Sequence, residues 1–262
     1  KQRALIARAL VADWIETNSG RSPVARHPVV IANRLSQWFS QYEFYAASAE
    51  IEFRQRLLVS AAQQARHLAA VLPAGLSGAQ LIAAAKGLCL AGLCLPGREA
   101  WRDRGLALLE QALEAQILPD GGQRERSPAQ LLAVLRDCID LRAALLAAGR
   151  EVSSDLNLRI DGLAAMLRLL QHGDGGLALF NGANEGEDLQ IGLVLQRAAS
   201  GKGPLQSAPM SGFQRLQAGR HLGRMVGVVV DEGDAAGAAE HLQPAAGAAE
   251  RRERAGEGVL AD

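Results

Sequence analysis

Apolar residues recur every three to four positions through most of this chain, which is the period of an α-helix with one buried face. The third such stretch shows the pattern plainly, since Phe53, Leu57, Ala61, Ala65 and Leu68 follow one another at that spacing. The same period predicts long helices throughout the first two thirds of the chain, at residues 1–16, 30–42, 46–72, 77–95, 99–118, 127–148 and 155–171.

Turn and capping residues mark the ends of these helices. Pro73 closes the third helix, because a proline cannot continue the backbone hydrogen bonding of a helix. Ser77 and Ser127 stand where a side-chain oxygen can cap the next helix. Pro128 occupies a first helical position, where its missing N–H costs nothing. The intervening loops are short, so we expect antiparallel helical hairpins lying side by side.

The pattern changes after residue 172. One more short helix is predicted there at residues 188–196. Three strand-like runs are predicted at residues 177–180, 212–216 and 225–230. From residue 220 onward the chain otherwise alternates among Ala, Gly, Glu and Arg. Such a tail buries too little apolar surface to offset the entropy of ordering it, so we expect it to be disordered or frayed helix.

Composition supports an all-α fold. Apolar residues make up 48% of the chain, whereas aromatic residues make up only 4%, and β-branched residues are also scarce. The helices share no regular sequence repeat, which favours a ring or irregular superhelix of hairpins over a regular solenoid. The sequence therefore predicts a large helical core with at most a vestigial β-region near the C-terminus.

Charge and cysteine usage narrow the classes of partner. Lys plus Arg and Asp plus Glu both number 28, so no electrostatic excess points to nucleic acid. The apolar run at residues 88–95 is too short to cross a bilayer, and no signal-peptide pattern is present. Cys89, Cys94 and Cys138 lie in apolar helical runs without metal-ligand spacing, so we expect buried thiols, no metal and no cofactor.

Three segments carry a resemblance to a known family. The most specific is QILPDGGQRERSPAQLLAVL at 116–135, in which a helix ends in Gln, Asp-Gly follows, and Glu-x-Ser-Pro starts the next helix. The others are HGDGGLALFN at 172–181 and NRLSQWF at 33–39. Together they resemble the N-terminal helical region of the heparinase II/III polysaccharide lyases, and specifically a bacterial branch of that family.

The resemblance implies an (α/α) toroid followed, in longer relatives, by a β-sandwich that closes one side of a cleft. It implies β-elimination on an acidic, uronate-containing polysaccharide and a location in the cell envelope or periplasm. On this basis we expect a toroid at 1–200, a linker and an uncompleted start of the sandwich at 201–230, and a low-complexity tail at 231–262. We also hypothesise a disruption of the reading frame near residues 219–224, where strands are replaced by the repetitive tail.

The chain departs from the family at the positions that carry the chemistry. Where the family has a proton-carrying Tyr followed by His, this sequence has Gln130 and Leu131, and neither can act as acid or base. The Asn or His that neutralises the uronate carboxylate maps to residues 75–78, which hold no such side chain. The usual catalytic pair is therefore not matched.

Candidate site residues come from the three resembling segments. His172 is the remaining acid–base candidate, since its reference pKa lies near neutrality, although it could instead hydrogen-bond helix carbonyls. Arg126 could bind a uronate or sulfate group by two hydrogen bonds, or it could be a solvated charge of the loop. Trp38 could stack on a sugar or pack in the core. The full substrate-binding set is Asn33, Arg34, Trp38, Gln123, Glu125, Arg126 and Asn181.

Three functions remain open at this level. The first is a polysaccharide lyase or a lyase relative with altered chemistry. The second is a glycan-binding or scaffolding toroid that retains the cleft and has lost the proton carriers. The third is a helical protein-interaction module. Oligomeric state is not predicted by the sequence.

Overall fold

The computed structural model describes six stretches of the chain, namely residues 2–18, 22–172, 175–183, 188–203, 205–216 and 226–229. Within them lie nine helices: α1 (Gln2–Thr17), α2 (Pro28–Ser40), α3 (Tyr42–Tyr45), α4 (Ile51–Val71), α5 (Gly78–Cys94), α6 (Glu99–Gln116), α7 (Pro128–Ala147), α8 (Ser154–Leu169) and α9 (Asp188–Ala198). Three short strands follow, β1 (Ser207–Ala208), β2 (Phe213–Leu216) and β3 (Val226–Val229). The predicted all-α fold of helical hairpins is confirmed.

The helix boundaries agree with the sequence pattern except before α4. A helix was expected from residue 46, but the chain forms the single turn α3 and then a turn before α4 begins at Ile51. Two hydrogen bonds from α1 hold this segment, since Arg8 Nε donates to the Tyr45 carbonyl at 2.5 Å and Arg8 Nη2 to Ser48 Oγ at 2.6 Å. The interruption is therefore fixed by a contact distant in sequence.

Helix α5 lies at the centre of the fold and is buried on almost all sides from Ile82 to Gly92. It forms an antiparallel hairpin with α6 in which the two backbones come close at a glycine. A Cβ added to Gly105 of α6 would lie 2.6 Å from the backbone nitrogen of Cys89. On its other side, a Cβ added to Gly87 would lie 2.6 Å from the Cα of Ala32 in α2. Small residues thus set the spacing of three neighbouring helices.

Helices α5 and α7 run in the same direction. The Glu125 carboxylate, just before α7, accepts from the backbone N–H of Ala79 in the first turn of α5. About two turns further along both helices, Lys86 of α5 meets Asp137 of α7. The N-terminal turns of the two helices therefore lie at the same end of the molecule, and α6 carries the chain back from the end of α5 to the start of α7.

The apolar core forms two clusters that share α5. One cluster contains buried side chains of α5 to α9, β1 and β2, including Ile82, Ala85 and Cys89 of α5. The other contains residues of α2 to α5, onto which partly buried side chains of α1 pack. Because α5 contributes to both, it joins the two halves of the helical domain.

The β-region is a small antiparallel sheet in the order β1–β2–β3. Strand β3 lies within the predicted run 225–230, and β2 within 212–216. The predicted strand at 177–180 does not form, since its only ladder contact is an isolated bridge between Gln171 and Leu177. The expected tail at 231–262 and the hypothesised frame disruption lie outside the described residues, and the boundary at residue 200 stays a prediction.

Candidate functional site

A groove of about 460 Å³ runs between α2, α5 and α7. Its walls are largely polar, because the three helices turn amide and charged side chains towards it rather than apolar ones. The polar lining includes Asn33 and Gln37 of α2, Gln80 and Lys86 of α5, and Gln130, Arg136, Asp137 and Asp140 of α7. We call this the α2/α5/α7 groove.

A buried ion pair lies in the wall of this groove. Lys86 Nζ contacts Asp137 Oδ1 at 2.5 Å, with only 6% of the lysine side chain and 16% of the aspartate side chain exposed. Burial raises the pKa of Asp137, and the Lys86 ammonium offsets part of that rise. Each charge is thus compensated by the other, and neither is free to meet a distant ligand charge.

The remaining charges of the groove are unequal. Asp140 forms an ion pair with Arg197 of α9 at 2.7 Å. Arg136, by contrast, donates to the side-chain oxygen of Gln190 at 3.4 Å and has no carboxylate within ion-pair distance among the described residues. Among the described residues, Arg136 is therefore the cation of the groove that remains available for an anionic group.

Two positions singled out by the resemblance reach the groove. Asn33 lines it from α2 and Gln130 from the first turn of α7, while a role of Asn33 in binding substrate stays a prediction. By the resemblance described above, Gln130 corresponds to the family's proton-carrying Tyr. The structure places this residue in the groove. The amide can donate and accept hydrogen bonds to sugar hydroxyls but cannot transfer a proton as a phenol does.

The loop between α6 and α7 is held by hydrogen bonds within the protein. Glu125 Oε1 accepts from Gln116 Nε2 at 2.8 Å and from the Ala79 N–H at 3.4 Å, which joins the ends of α6 and α5. Asp120 accepts from the N–H of Gly122, and also from both the N–H and the hydroxyl of Ser211 next to the small sheet. The loop thus connects three regions of the domain.

The other predicted members of this loop also have internal partners. Gln123 is 1% exposed, and its Nε2 donates to Glu125 Oε2 at 3.4 Å. Its Oε1 is buried without a hydrogen-bond partner among the described residues. Arg126 has a positive φ of 50°, and its carbonyl accepts from Asn181 Nδ2 at 2.9 Å. Their predicted role in binding substrate stays a prediction.

Arg34 and Trp38 lie away from the groove. Trp38 is 7% exposed and packs edge-on against Trp14, with ring centroids 5.5 Å apart, as a core aromatic does. Arg34 stacks over the Trp14 ring on the side of α2 that faces α1 and α4. The resembling segment 33–39 therefore contributes Asn33, Ser36 and Gln37 to the groove, whereas Arg34 and Trp38 lie outside it.

His172 is not among the residues that line the groove. Its backbone N–H donates to the Gly176 carbonyl at 2.8 Å, which fixes the turn after α8. The ring nitrogen Nδ1 is buried without a partner among the described residues. The structure therefore separates the candidate acid–base residue from the polar groove.

Sequence reasoning missed Lys86, Arg136, Asp137 and Asp140. One of them carried a signal, because Lys86 is the only charge in the otherwise apolar segment of α5. A lysine in such a position needs a buried partner. The other three lie on the polar face of α7, where a groove residue cannot be told from a solvated one.

The three cysteines differ in exposure. Cys89 and Cys138 are buried as expected, and burial raises the pKa of each thiol to about 12. Cys94 is exposed instead, since it lies at the end of α5. No cluster of three potential metal ligands occurs among the described residues, and none of their helices is both long and apolar enough to span a bilayer.

Comparison with known proteins identifies relatives of two kinds. FtsZ-localized protein C of Caulobacter vibrioides is 29% identical over 229 residues, which cover 87% of this chain and 38% of that protein. Heparin-sulfate lyase of Bacteroides stercoris is 29% identical over 116 residues, which cover 42% of this chain and 17% of the lyase. The chain therefore spans well under half the length of either relative.

Solved structures support the same fold. A mutant of the heparan sulfate lyase HepC from Pedobacter heparinus superposes with a TM-score of 0.59 at 18% identity, covering 83% of this chain and 39% of that one. This superposition shows that the helical hairpins described above are arranged as an (α/α) toroid. The family model for the heparinase II/III N-terminus matches residues 6–157, which is more than half of the chain. This chain belongs to the heparinase II/III N-terminal family.

Proposed function

We propose that this chain is a polysaccharide lyase-like domain whose α2/α5/α7 groove binds a segment of an acidic, uronate-containing polysaccharide in the cell envelope. The observation that carries the proposal is Arg136, a cation without a carboxylate partner among the described residues, in a groove it shares with Asn33 and Gln130. A guanidinium binds a carboxylate by two parallel hydrogen bonds. The neighbouring amides complement sugar hydroxyls.

The backbone of the groove adds to this complementarity. Helices α5 and α7 point their N-terminal turns towards the same end, where Ala79, Gln80 and Gln130 lie. The N-terminus of a helix carries partial positive charge, which favours an anionic group nearby. At the α5 end the Glu125 carboxylate already accepts from the Ala79 N–H, so the α7 end, together with Arg136, is what supports a sugar acid over a neutral sugar.

We further propose that the groove holds its glycan without cleaving it. β-Elimination needs a group that removes the proton at C5 and one that protonates the leaving oxygen. The proton-carrier position is Gln130, whose amide can do neither. The Lys86 ammonium is occupied by its buried ion pair with Asp137.

Binding is tested by calorimetric titration with uronate-containing oligosaccharides, both sulfated and unsulfated. Arg136→Gln should weaken binding about tenfold, because a charge-assisted pair contributes at least about 1.4 kcal/mol. Arg150→Gln is the matched control, since Arg150 is exposed and lies outside the groove. Equal affinity in both variants, or no binding by the unsubstituted protein, would contradict the proposal.

Absence of cleavage is tested separately by following the ultraviolet absorbance of the unsaturated uronate that β-elimination would form. We expect no product under conditions where binding is saturated. Product formation that is lost in Gln130→Leu would show that the groove is catalytic and would overturn the holding role. Detection of the full-length protein in the cytoplasmic fraction alone would contradict the proposed cell-envelope location.

A second candidate function follows from the relative that covers most of this chain. FtsZ-localized protein C matches 87% of it, twice the share matched by the Bacteroides lyase. On this reading the toroid is a scaffold that associates with FtsZ. Co-sedimentation with FtsZ polymers should then retain the protein in the pellet, and Arg136→Gln should not alter that fraction, because the groove is not involved.

A further inference from the structure

A second cavity lies on the opposite side of α2 from the groove. It lies between α1, α2 and α4, opens to solvent and has a volume of about 250 Å³. Adjacent residues of α2 point to the two sites, since Asn33 lines the groove and Arg34 lines this cavity. Its polar lining includes Asn18, Arg26, Arg34, Gln63, Gln64 and His67. We call it the α1/α2/α4 pocket.

Arg34 is held firmly in this pocket by uncharged groups. Its guanidinium carbon lies 3.8 Å from the centre of the Trp14 ring, a cation–π contact. Nη1 donates to Gln64 Oε1 at 2.5 Å and Nη2 to the Ala25 carbonyl at 3.1 Å. Partial burial lowers the pKa of Arg34. No carboxylate lies within ion-pair distance of it among the described residues.

The charge of the pocket is one-sided. Arg26 and Arg34 both line it, and no Asp or Glu is found among its described lining residues. The α2/α5/α7 groove differs, because there Lys86 and Asp140 each have a partner of opposite charge. Removing a cation from water without a counter-charge is costly, so a partly buried, unneutralised arginine indicates that an anion belongs beside it.

We propose that the α1/α2/α4 pocket is an anion-binding site that takes a compact oxyanion, a phosphate or a carboxylate group on a small molecule. Arg34 supplies the fixed, pre-oriented donor and Arg26 a second positive charge at the exposed side. The amides of Gln63 and Asn18 supply neutral hydrogen-bond donors. A volume of about 250 Å³ is below that of drug-sized binding sites, which fits a ligand of few atoms.

The Trp14 indole provides a local reporter, because Arg34 stacks on it. Sodium phosphate is titrated against chloride at constant ionic strength while the Trp14 indole N–H resonance is followed, assigned by its loss in Trp14→Phe. We expect a saturable, phosphate-specific shift. Arg34→Gln should weaken phosphate binding at least tenfold, because it removes the charge-assisted hydrogen bonds while keeping an uncharged polar side chain.

Matched variants distinguish phosphate binding in the pocket from a general ionic effect on the protein. Arg98→Gln is the control, since Arg98 also stacks on a tryptophan, Trp101, at 4.9 Å but outside the pocket. It should leave the phosphate response of Trp14 unchanged. Arg26→Gln should weaken binding several-fold, and because Arg26 is exposed it decides the matter if Arg34→Gln does not fold.

Sodium glucuronate, added in the same way, distinguishes the sources of the anion. Tighter binding than phosphate identifies a sugar carboxylate, whereas weaker binding identifies inorganic or ester phosphate, and either supports the pocket. The proposal is overturned if neither anion shifts the Trp14 resonance at constant ionic strength. It is also overturned if the shift is the same in the unsubstituted protein and in both pocket variants. The result is independent of glycan binding in the groove.

Discussion

Lys86 is the residue on which the groove wall depends most directly. It is a buried cation in an apolar helix, and Asp137 is the partner that compensates it. Lys86→Met should lower the free energy of unfolding by about 3–5 kcal/mol at neutral pH, because it leaves the Asp137 carboxylate buried without a counter-charge. Urea unfolding followed by circular dichroism measures the loss.

The loss in Lys86→Met should depend on pH in a defined direction. Burial already raises the pKa of Asp137, and removal of the ammonium that offsets this should raise it further. The folded variant then holds a proton that the unfolded chain, with a carboxyl pKa of about 4, has lost. Stability relative to the unsubstituted protein should therefore be greatest below about pH 4 and fall as the pH rises through the raised pKa.

The double variant Lys86→Met, Asp137→Leu provides the control. Replacing both partners with apolar side chains leaves no unpaired charge, so most of the lost stability should return and the pH dependence should disappear. If Lys86→Met alone loses the same free energy of unfolding at pH 4 and at pH 7, Asp137 stays ionised in the folded protein at both pH values, and the expected rise in its pKa is wrong.

At the scale of elements, the α5–α6 hairpin rests on the close approach at Gly105. Gly105→Ala should destabilise the protein by about 1–3 kcal/mol despite the better helix propensity of alanine, because the added methyl meets the backbone of Cys89. Gly192→Ala in α9 is the matched control, since no atom of the described residues lies within 4 Å of its added Cβ. It should stabilise by about 0.5–1 kcal/mol.

Thermal or urea unfolding of the two glycine variants measures both effects. If Gly105→Ala and Gly192→Ala shift the midpoint in the same direction, packing at the hairpin does not limit helix spacing there. Opposite signs would show that the same chemical change is decided by the neighbouring helix rather than by the helix that carries it.

The elements themselves were largely predictable because their signals are local. Helical period, serine caps and Pro128 at a first position are properties of adjacent residues. Ser127 does accept from the Gln130 N–H, whereas Ser77 precedes α5 without a side-chain cap hydrogen bond. The break before α4 was not predictable, since it contains no proline or glycine and is held by Arg8 from 37 residues away. Local sequence cannot report a hydrogen bond made across the fold.

The candidate site was predictable only in part, for the same physical reason. Asn33 was expected to line a cleft and lines the groove, whereas Arg34, its neighbour, faces the opposite side of α2. Which face of a helix meets which neighbour depends on long-range packing. The family resemblance supplied the position of Gln130 but not the charges of α7 that surround it.

At the scale of the whole molecule, the two core clusters predict an uneven distribution of stability. Amides of α5 should show the strongest protection in hydrogen–deuterium exchange, because both clusters must open to expose them. Amides of α1 should exchange fastest among the long helices, since α1 has no fully buried residue. Equal protection of α1 and α5 would contradict this order and would indicate a single cooperative unit.

The shared position of α5 also limits how the domain can be divided. A fragment that ends before Gly78 would lose the α5 wall of the cluster formed by α2 to α5, and a fragment that begins after Cys94 would lose the α5 wall of the cluster formed by α5 to α9. Complementation by two separately expressed halves would need α5 in both, and the two copies would then compete for one place. Fusion and permutation designs should therefore open the chain at exposed loops such as 148–153, where α5 and its neighbours stay on one polypeptide.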